Sequence, residues 1–345
     1  MTGADDICFA SACVLLDLYR RKSLSPVEAT EALLNHAEAM QPVLNMFSII
    51  DNDGALQAAR ASEERWRRGA PCGALDGVPV TVEDLMPMRG FLTRRGSRLL
   101  AEAPPDTEDA PAVARLRESG AVVLGKTTSP EFGWKALGDS PLTGITRNPW
   151  DTGRTPGGSS AGAAAACAAG IAPIHLGSDG GGFDSGPSAF CGIFGLKGSF
   201  GCVPFYPPGP LASLSSVGPI AREVSDAALL LNVLAQPDAR DPYVLPPEDR
   251  DYLTELDGGV KGWRVAYSPD LGYAGVDPEV AAAVAAAVEQ FAALGAQVEE
   301  IREIFASPRD ALLCPKAAAS PELRLIPIAV IAPCHVLGRR PARVT

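Results

Sequence analysis

Apolar residues recur at helical spacing from Cys8 to Arg21, again from Pro26 towards Met40, and from Asp53 to Arg68. Ser25-Pro26-Val27-Glu28 opens the second of these with an N-cap, a Pro in the first turn and a capping-box Glu. Gly77 to Val82 reads as a short buried strand, Pro111 to Ser119 as a helix stopped by Gly120, and Ala121 to Leu124 as a second strand. A long loop rich in Gly, Pro, Asn and Thr leads to Ala161–Gly170, a helix of very small residues. Ile171 to Leu176 is a strand candidate and Glu223 to Leu234 a helix. Trp263–Tyr267, Asp277–Leu294 and Gln297–Ile301 form one β-α-β unit. Strands alternating with helices predict an α/β layered sheet.

The chain has 345 residues, enough to bury a core without a disulfide or metal staple. Gly 35 and Pro 31 exceed their usual combined share of roughly 12%, and they have no period, which excludes collagen and most solenoids. Net charge is −11, so a nucleic-acid groove or an anionic membrane is not an expected partner. The 8 cysteines are scattered without a CxxC, and are read as free thiols in a reducing cytoplasm rather than metal ligands. Asp5 and Asp6 stand where a signal peptide would be positive, and the mildly apolar Ala161–Leu176 stretch is too short to cross a bilayer. The protein is expected in the cytoplasm.

Composition breaks near the end. Pro321 to Thr345 holds Pro321, Pro327, Pro333 and Pro341, with Arg324, Arg339, Arg340 and Arg343 against one acid, Glu322. Residues 1–310 are therefore expected to form one domain. Residues 311–345 are expected to be an atypical tail making few core contacts, because the prolines interrupt any helix or strand.

Candidate chemistry concentrates in Gly157-Gly158-Ser159-Ser160-Ala161-Gly162 and in Gly177-Ser178-Asp179-Gly180-Gly181-Gly182. Gly158-x-Ser160-x-Gly162 matches the GxSxG nucleophile elbow on paper. That elbow needs an apolar strand directly before it, whereas Pro149 to Pro156 is polar and Pro-rich. The chain also offers only His36, His175 and His335 as bases for a Ser-His-Asp triad.

The same blocks resemble the amidase signature family. Pro187…Phe190-Cys191-Gly192…Gly195-Leu196-Lys197 continues the match, as do Gly77-Val78-Pro79, Gly125-Lys126-Thr127, Asn148-Pro149-Trp150 and Gly218-Pro219-Ile220-Ala221. The resemblance covers residues 10 to 305. It implies one large α/β/α sandwich around a mixed sheet, C-terminally truncated relative to the family. It also implies hydrolysis or transfer of an amide through an acyl-enzyme, with no cofactor and no metal. In such a Ser–Ser–Lys triad a neutral lysine takes a proton from a bridging serine held by a cis peptide. That serine takes one from the nucleophile, whose hydroxyl is weak without a base.

Mapped onto this chain, the bridging serine is Ser159, and the oxyanion-hole loop is Gly180, Gly181 and Gly182, whose successive N–H groups could stabilise an oxyanion. Ser160 and Asp179 are supporting residues. The lysine position holds Glu83, and the nucleophile position holds Phe183. A carboxylate can accept a proton, but a phenyl ring cannot attack a carbonyl. Ser185 and Ser188 are near in sequence, with Ser185 two positions past the nucleophile site.

Three readings stay open. The gene's reading frame is degraded or misread: Phe-Asp-Ser as TTC-GAT-TCG, read from its second base, gives the family's Ser-Ile-Arg, and Pro187 restores register. Lysine becomes glutamate by one base change. Alternatively the chain is a diverged pseudoenzyme, or it acts by unusual chemistry. The expected function is that of an amidase by descent, inactive as written, with a small-molecule amide as ligand and a homodimer left open. The alternative is a non-catalytic binding or partner subunit of an amidotransferase-like complex.

Overall fold

The computed structural model describes residues 7–182, 184–209, 211–302 and 306–308. The proposed tail and Phe183 therefore lie outside the described residues. Chain contacts divide the molecule into two compact units, the first ending at Leu253 and the second opening at Thr254. The boundary follows Pro246–Arg250, a Pro- and charge-rich stretch too brief to stand out in composition.

In the first unit the elements run α1 (Ala12–Arg20), α2 (Pro26–Leu44), β1 (Phe47–Ile50), α3 (Asn52–Arg67), β2 (Pro79–Glu83), α4 (Pro111–Glu118), β3 (Val122–Thr127), α5 (Ala161–Ala168), β4 (Ile174–Asp179), α6 (Ser185–Cys191), β5 (Phe194–Gly195), β6 (Ser216–Ala221) and α7 (Val224–Leu234). Six strands form one sheet in the order β1-β3-β2-β4-β6-β5. The β3-β2 and β2-β4 pairs are parallel and the other three antiparallel, so the sheet is mixed. The second unit holds β7 (Arg264–Tyr267), α8 (Pro278–Ala293) and β8 (Gln297–Glu300), a parallel β-α-β unit as the periodicity predicts.

Side-chain alternation sends the sheet's apolar residues to two cores. Val80 and Val82 of β2, with Ile174 and Leu176 of β4, pack against Val113 and Leu116 of α4 and Leu230 and Leu234 of α7. Val122 and Leu124 of β3 pack on the other side with Leu33 and Leu34 of α2, Ala55 and Ala59 of α3, and Ala165 and Ala166 of α5. Helices cover both faces, giving the layered α/β/α arrangement.

Two local features prepare the site. The capping box at Ser25 forms in both directions, with Ser25 N–H donating to Glu28 and Glu28 N–H to the Ser25 hydroxyl. All eight residues of α5 are buried, which explains why its sequence shows no amphipathic stripe and only Ala, Gly and Cys. Gly162 is required there, because a Cβ would lie 2.2 Å from the Met46 carbonyl oxygen. None of the six described cysteines is in a disulfide; Cys8, Cys167 and Cys191 are buried and Cys72 is exposed.

Candidate active site

Strand alternation places Glu83 at the end of β2, on the face opposite Val80 and Val82, and it is fully buried. Register pairs Glu83 with Thr127 and Val82 with Lys126. Cross-strand partners share a face, so Lys126 projects to the other side of the sheet and cannot take the place of the missing lysine. Its ammonium instead lies 3.1 Å from Asp84 and donates to the Met86 carbonyl and the Thr93 hydroxyl. Burial lowers the Lys126 pKa, against the opposing pull of Asp84.

Around Glu83 the two Gly-rich segments converge. Ser178 Oγ donates to Glu83 Oε2 at 2.7 Å. Ser160 Oγ lies 3.0 Å from Glu83 Oε2 and 2.5 Å from Asp184 Oδ1. A hydroxyl carries one proton, so Ser160 can donate to only one of these carboxyls. The other contact is a hydrogen bond when that carboxyl is protonated and donates to Ser160 Oγ. The remaining oxygens, Glu83 Oε1 and Asp184 Oδ2, are buried without a partner among the described residues.

Electrostatics agree with this proton count. Burial, partly offset by the Ser178, Ser160 and Ser159 hydroxyls, raises the Glu83 pKa from 4.5 to about 7. Burial, then the neighbouring charges of Asp179 and Glu83, raises Asp184 well above the ordinary carboxylate range. The pair fits because residue 177 is glycine: a Cβ there would lie 2.3 Å from Asp184 Oδ1 and 2.9 Å from Ser160 Oγ.

The peptide bond between Gly158 and Ser159 is cis. Gly158 approaches the Leu137 backbone so closely that a Cβ would meet its carbonyl oxygen at 2.6 Å. Ser159 is nearly buried yet lines a cleft of about 860 Å³, mouth included. Leu85, Met86, Phe132, Trp134, Phe205 and Leu211 supply apolar walls, and Arg95, Ser178, Asp179 and Gly180 polar ones.

Asp179 organises the Gly-rich loop. Its Oδ1 accepts from Gly181 N–H at 2.9 Å and Gly182 N–H at 2.6 Å, and its Oδ2 from Asp184 N–H at 3.0 Å and Ser185 N–H at 3.3 Å. The N–H groups of Gly181 and Gly182 thus point at a carboxylate rather than into open cleft. Gly180 lines the cleft itself. Ser185 Oγ lies 3.4 Å from Asp179 Oδ2, and the Ser188 hydroxyl is buried without a partner among the described residues.

The structure brings Glu83, Ser159, Ser160 and Asp179 together, with Phe183 outside the described residues. Asp184 and Ser178 complete the cluster and were not singled out from sequence; only the Gly-Ser-Asp spacing hinted at Ser178. No strand leads directly into Ser160, and His175 is held by Thr81 and the Ala172 carbonyl, so the elbow reading finds no support in the geometry. Among the described residues no three His, Cys, Asp or Glu side chains converge as a metal site would need.

A mixed sheet between helical layers, crossed by a Gly-Gly-Ser-Ser segment with a cis serine facing a second Gly-rich loop, defines a C–N hydrolase scaffold of the amidase signature type. The chain belongs to that family: the amidase sequence profile matches residues 28–321. It is 39% identical over 291 residues to an acylamidase of Rhodococcus erythropolis, covering 84% of this chain and 61% of that protein. It is 41% identical over 281 residues to a glutamyl-tRNA(Gln) amidotransferase subunit of Chloroflexus aurantiacus, covering 81% of this chain and 57% of that one. The fold superposes on a crystal structure of a bacterial aryl acylamidase with a TM-score of 0.82 at 34% identity, over 88% of this chain and 63% of that one. A peptide amidase of Stenotrophomonas maltophilia aligns with a TM-score of 0.78 at 30% identity, over 85% of this chain and 62% of that one. The chain thus spans about 60% of the length of these relatives. No described helix is long and apolar enough to cross a membrane.

Proposed function

We propose that this chain keeps the amide-binding cleft of an amidase while lacking turnover. The observation that carries this is the buried Glu83–Ser160–Asp184 cluster, which puts proton-sharing carboxyls where the family's chemistry calls for a neutral amine. Phe183 removes the attacking oxygen at the nucleophile position. Glu83, with a pKa near 7, could accept a proton, but a base without a nucleophile to activate gives no acyl-enzyme. Asp179 already accepts the N–H groups of Gly181 and Gly182, so those donors are not free to hold an oxyanion.

The test pairs binding with turnover. Terephthalamide, a neutral aryl diamide, is titrated calorimetrically, and ammonia release from it and aniline release from acetanilide are followed at high enzyme. The expected result is binding with no release above buffer. Release that disappears in Ser159→Ala or Ser185→Ala would show a displaced nucleophile and overturn the proposal.

A further inference from the structure

Among the described residues, the cleft contains a positive charge with nothing to pair it. Arg95 is a half-buried cleft residue, and its guanidinium has no hydrogen-bond or ion-pair partner among them. Acids are not in short supply, since Asp and Glu number 41 against 30 Lys and Arg. Two other cations near the cleft are neutralised, Lys126 by Asp84 and Arg240 by Asp238. Asp179, which also lines the cleft, has both oxygens occupied by backbone N–H groups. Arg95 also lies close enough to Lys126 to lower the Lys126 pKa further.

Backbone geometry fixes Arg95 in that position. Arg95 and Phe132 are both non-glycine residues in the left-handed region, with φ of 51° and 53°. Each is followed by a left-handed glycine, Gly96 at 63° and Gly133 at 69°. The Phe132 N–H donates to the Arg95 carbonyl at 2.8 Å, and the Arg95 N–H to the Asp84 carbonyl at 3.1 Å. Left-handed non-glycine residues are unfavourable and persist where the surroundings enforce them, a pattern that clusters at ligand clamps. Here two such residues, tied to each other, line the same cleft: one carries a guanidinium and the other an aromatic ring.

We infer that Arg95 is an anion-recognition residue, and that the cleft takes molecules with an aromatic or apolar body and a carboxylate that pairs with the Arg95 guanidinium. A carboxylate matches the guanidinium fork in two parallel hydrogen bonds, and the apolar walls strengthen them by excluding water. This rests on the proposed amide-binding function of the same cleft and gives it a ligand class: amides that carry a separate carboxylate.

The experiment titrates the full chain with 4-carbamoylbenzoate and with terephthalamide, which have the same shape and differ in one charge. The carboxylate is expected to bind about tenfold to a hundredfold more tightly. Arg95→Gln should bring that ratio close to one. Arg95→Lys, which keeps the charge and loses the fork, should retain part of it. Circular dichroism checks that the variants fold, and the wild-type ratio decides the question if they do not. Equal wild-type affinities, or a ratio unchanged in a folded Arg95→Gln, would overturn the inference. Binding of terephthalamide without a carboxylate preference leaves the amide-binding function standing and removes only Arg95's role. Binding of neither compound removes both.

Discussion

Replacing Glu83 with glutamine should change how stability depends on pH, by an amount that follows from its burial. Glu83 ionises at 4.5 in an exposed setting and at about 7 in the folded protein. A carboxyl whose folded pKa is raised holds its proton more tightly when folded. It imposes no penalty below pH 4.5, where both states are protonated. The penalty grows as pH rises through the window and is complete above 7. A difference of about 2.5 between those values, at about 1.4 kcal/mol for each, makes the folded protein about 3 kcal/mol less stable at pH 8 than it would be without this carboxyl. Asp184 shifts in the same direction and is partly held there by Glu83, so removing the charge at 83 also relaxes Asp184.

His175 acts oppositely and has to be separated. It is fully buried, its Nε2 donates to the Ala172 carbonyl, and its Nδ1 accepts from Thr81. Burial, followed by the charge of Arg222, lowers its pKa to about 3. A histidine held neutral contributes stability that is intact above pH 6.5 and is lost as pH falls towards 3. Wild-type stability therefore mixes two opposed slopes between pH 4.5 and 6.5, whereas the difference between wild type and Glu83→Gln cancels the histidine. Guanidinium unfolding of both proteins at pH 5 and pH 8, followed by circular dichroism, measures that difference. Glu83→Gln is expected to gain about 2–3 kcal/mol relative to wild type on going from pH 5 to pH 8. Parallel profiles for the two proteins, or a variant that loses ground at pH 8, would refute the buried-carboxyl reasoning.

Three further outcomes follow from the same packing. Glu83→Lys with Phe183→Ser should recover little amidase turnover, because Asp184 would hold the new ammonium charged; adding Asp184→Ile should raise acyl-enzyme formation, read by mass spectrometry, at least about tenfold further, since triad members act as a unit. Lys126→Met should cost about 3–5 kcal/mol in denaturant unfolding by leaving Asp84 as a buried unpaired charge, and Asp84→Asn in the same chain should return part of it. Gly162→Ala should cost about 1–3 kcal/mol because its Cβ would press on the Met46 carbonyl, whereas Gly186→Ala, with nothing within 4 Å, should be neutral or stabilising in a thermal melt.

Helices were the legible part of this sequence. Their caps and periodicity place Pro26–Leu44, Pro111–Glu118 and Pro278–Ala293 within a few residues of the structure. What escaped has identifiable causes. Phe47–Ile50 is a four-residue edge strand, too short to show a period. Ser216–Ala221 carries Gly218 and Pro219, which argue against a strand, yet β6 pairs with β4 along its whole length. Ser185–Cys191 contains Gly186 and Pro187 and so reads as loop. In the site, the Gly-rich motifs pointed to Ser159, Ser160 and Asp179, because glycine at fixed spacing marks close backbone approach. Asp184 left no such trace. Its approach to Ser160 depends on what residue 177 lacks, and a missing Cβ reveals its partner only in three dimensions.

The Glu83 and Asp184 positions are chemically linked, which bears on how the departures from the family arose. A lone glutamate at 83 would find two donors ready, Ser178 and Ser160, since a serine hydroxyl donates to a carboxylate as readily as it accepts from an ammonium. With isoleucine at 184, Ser160 would give its proton to Glu83 outright and the carboxylate would be better stabilised in its charged form. With Asp184 present, Ser160 is shared, and one carboxyl must keep a proton for the cluster to be satisfied. The Glu83 charge raises the Asp184 pKa, and the shared Ser160 hydroxyl leaves each carboxyl less well accommodated because of the other. A site adapted to a new use would be expected to resolve that competition. The unresolved competition, with Glu83 Oε1 and Asp184 Oδ2 both left without partners among the described residues, is what independent changes at the two positions would produce. Asp184→Ile should then lower the Glu83 pKa and flatten the wild-type stability profile between pH 5 and 8. An Asp184→Ile protein whose profile is as steep as wild type would show that burial alone sets the Glu83 pKa and that the two positions do not compete.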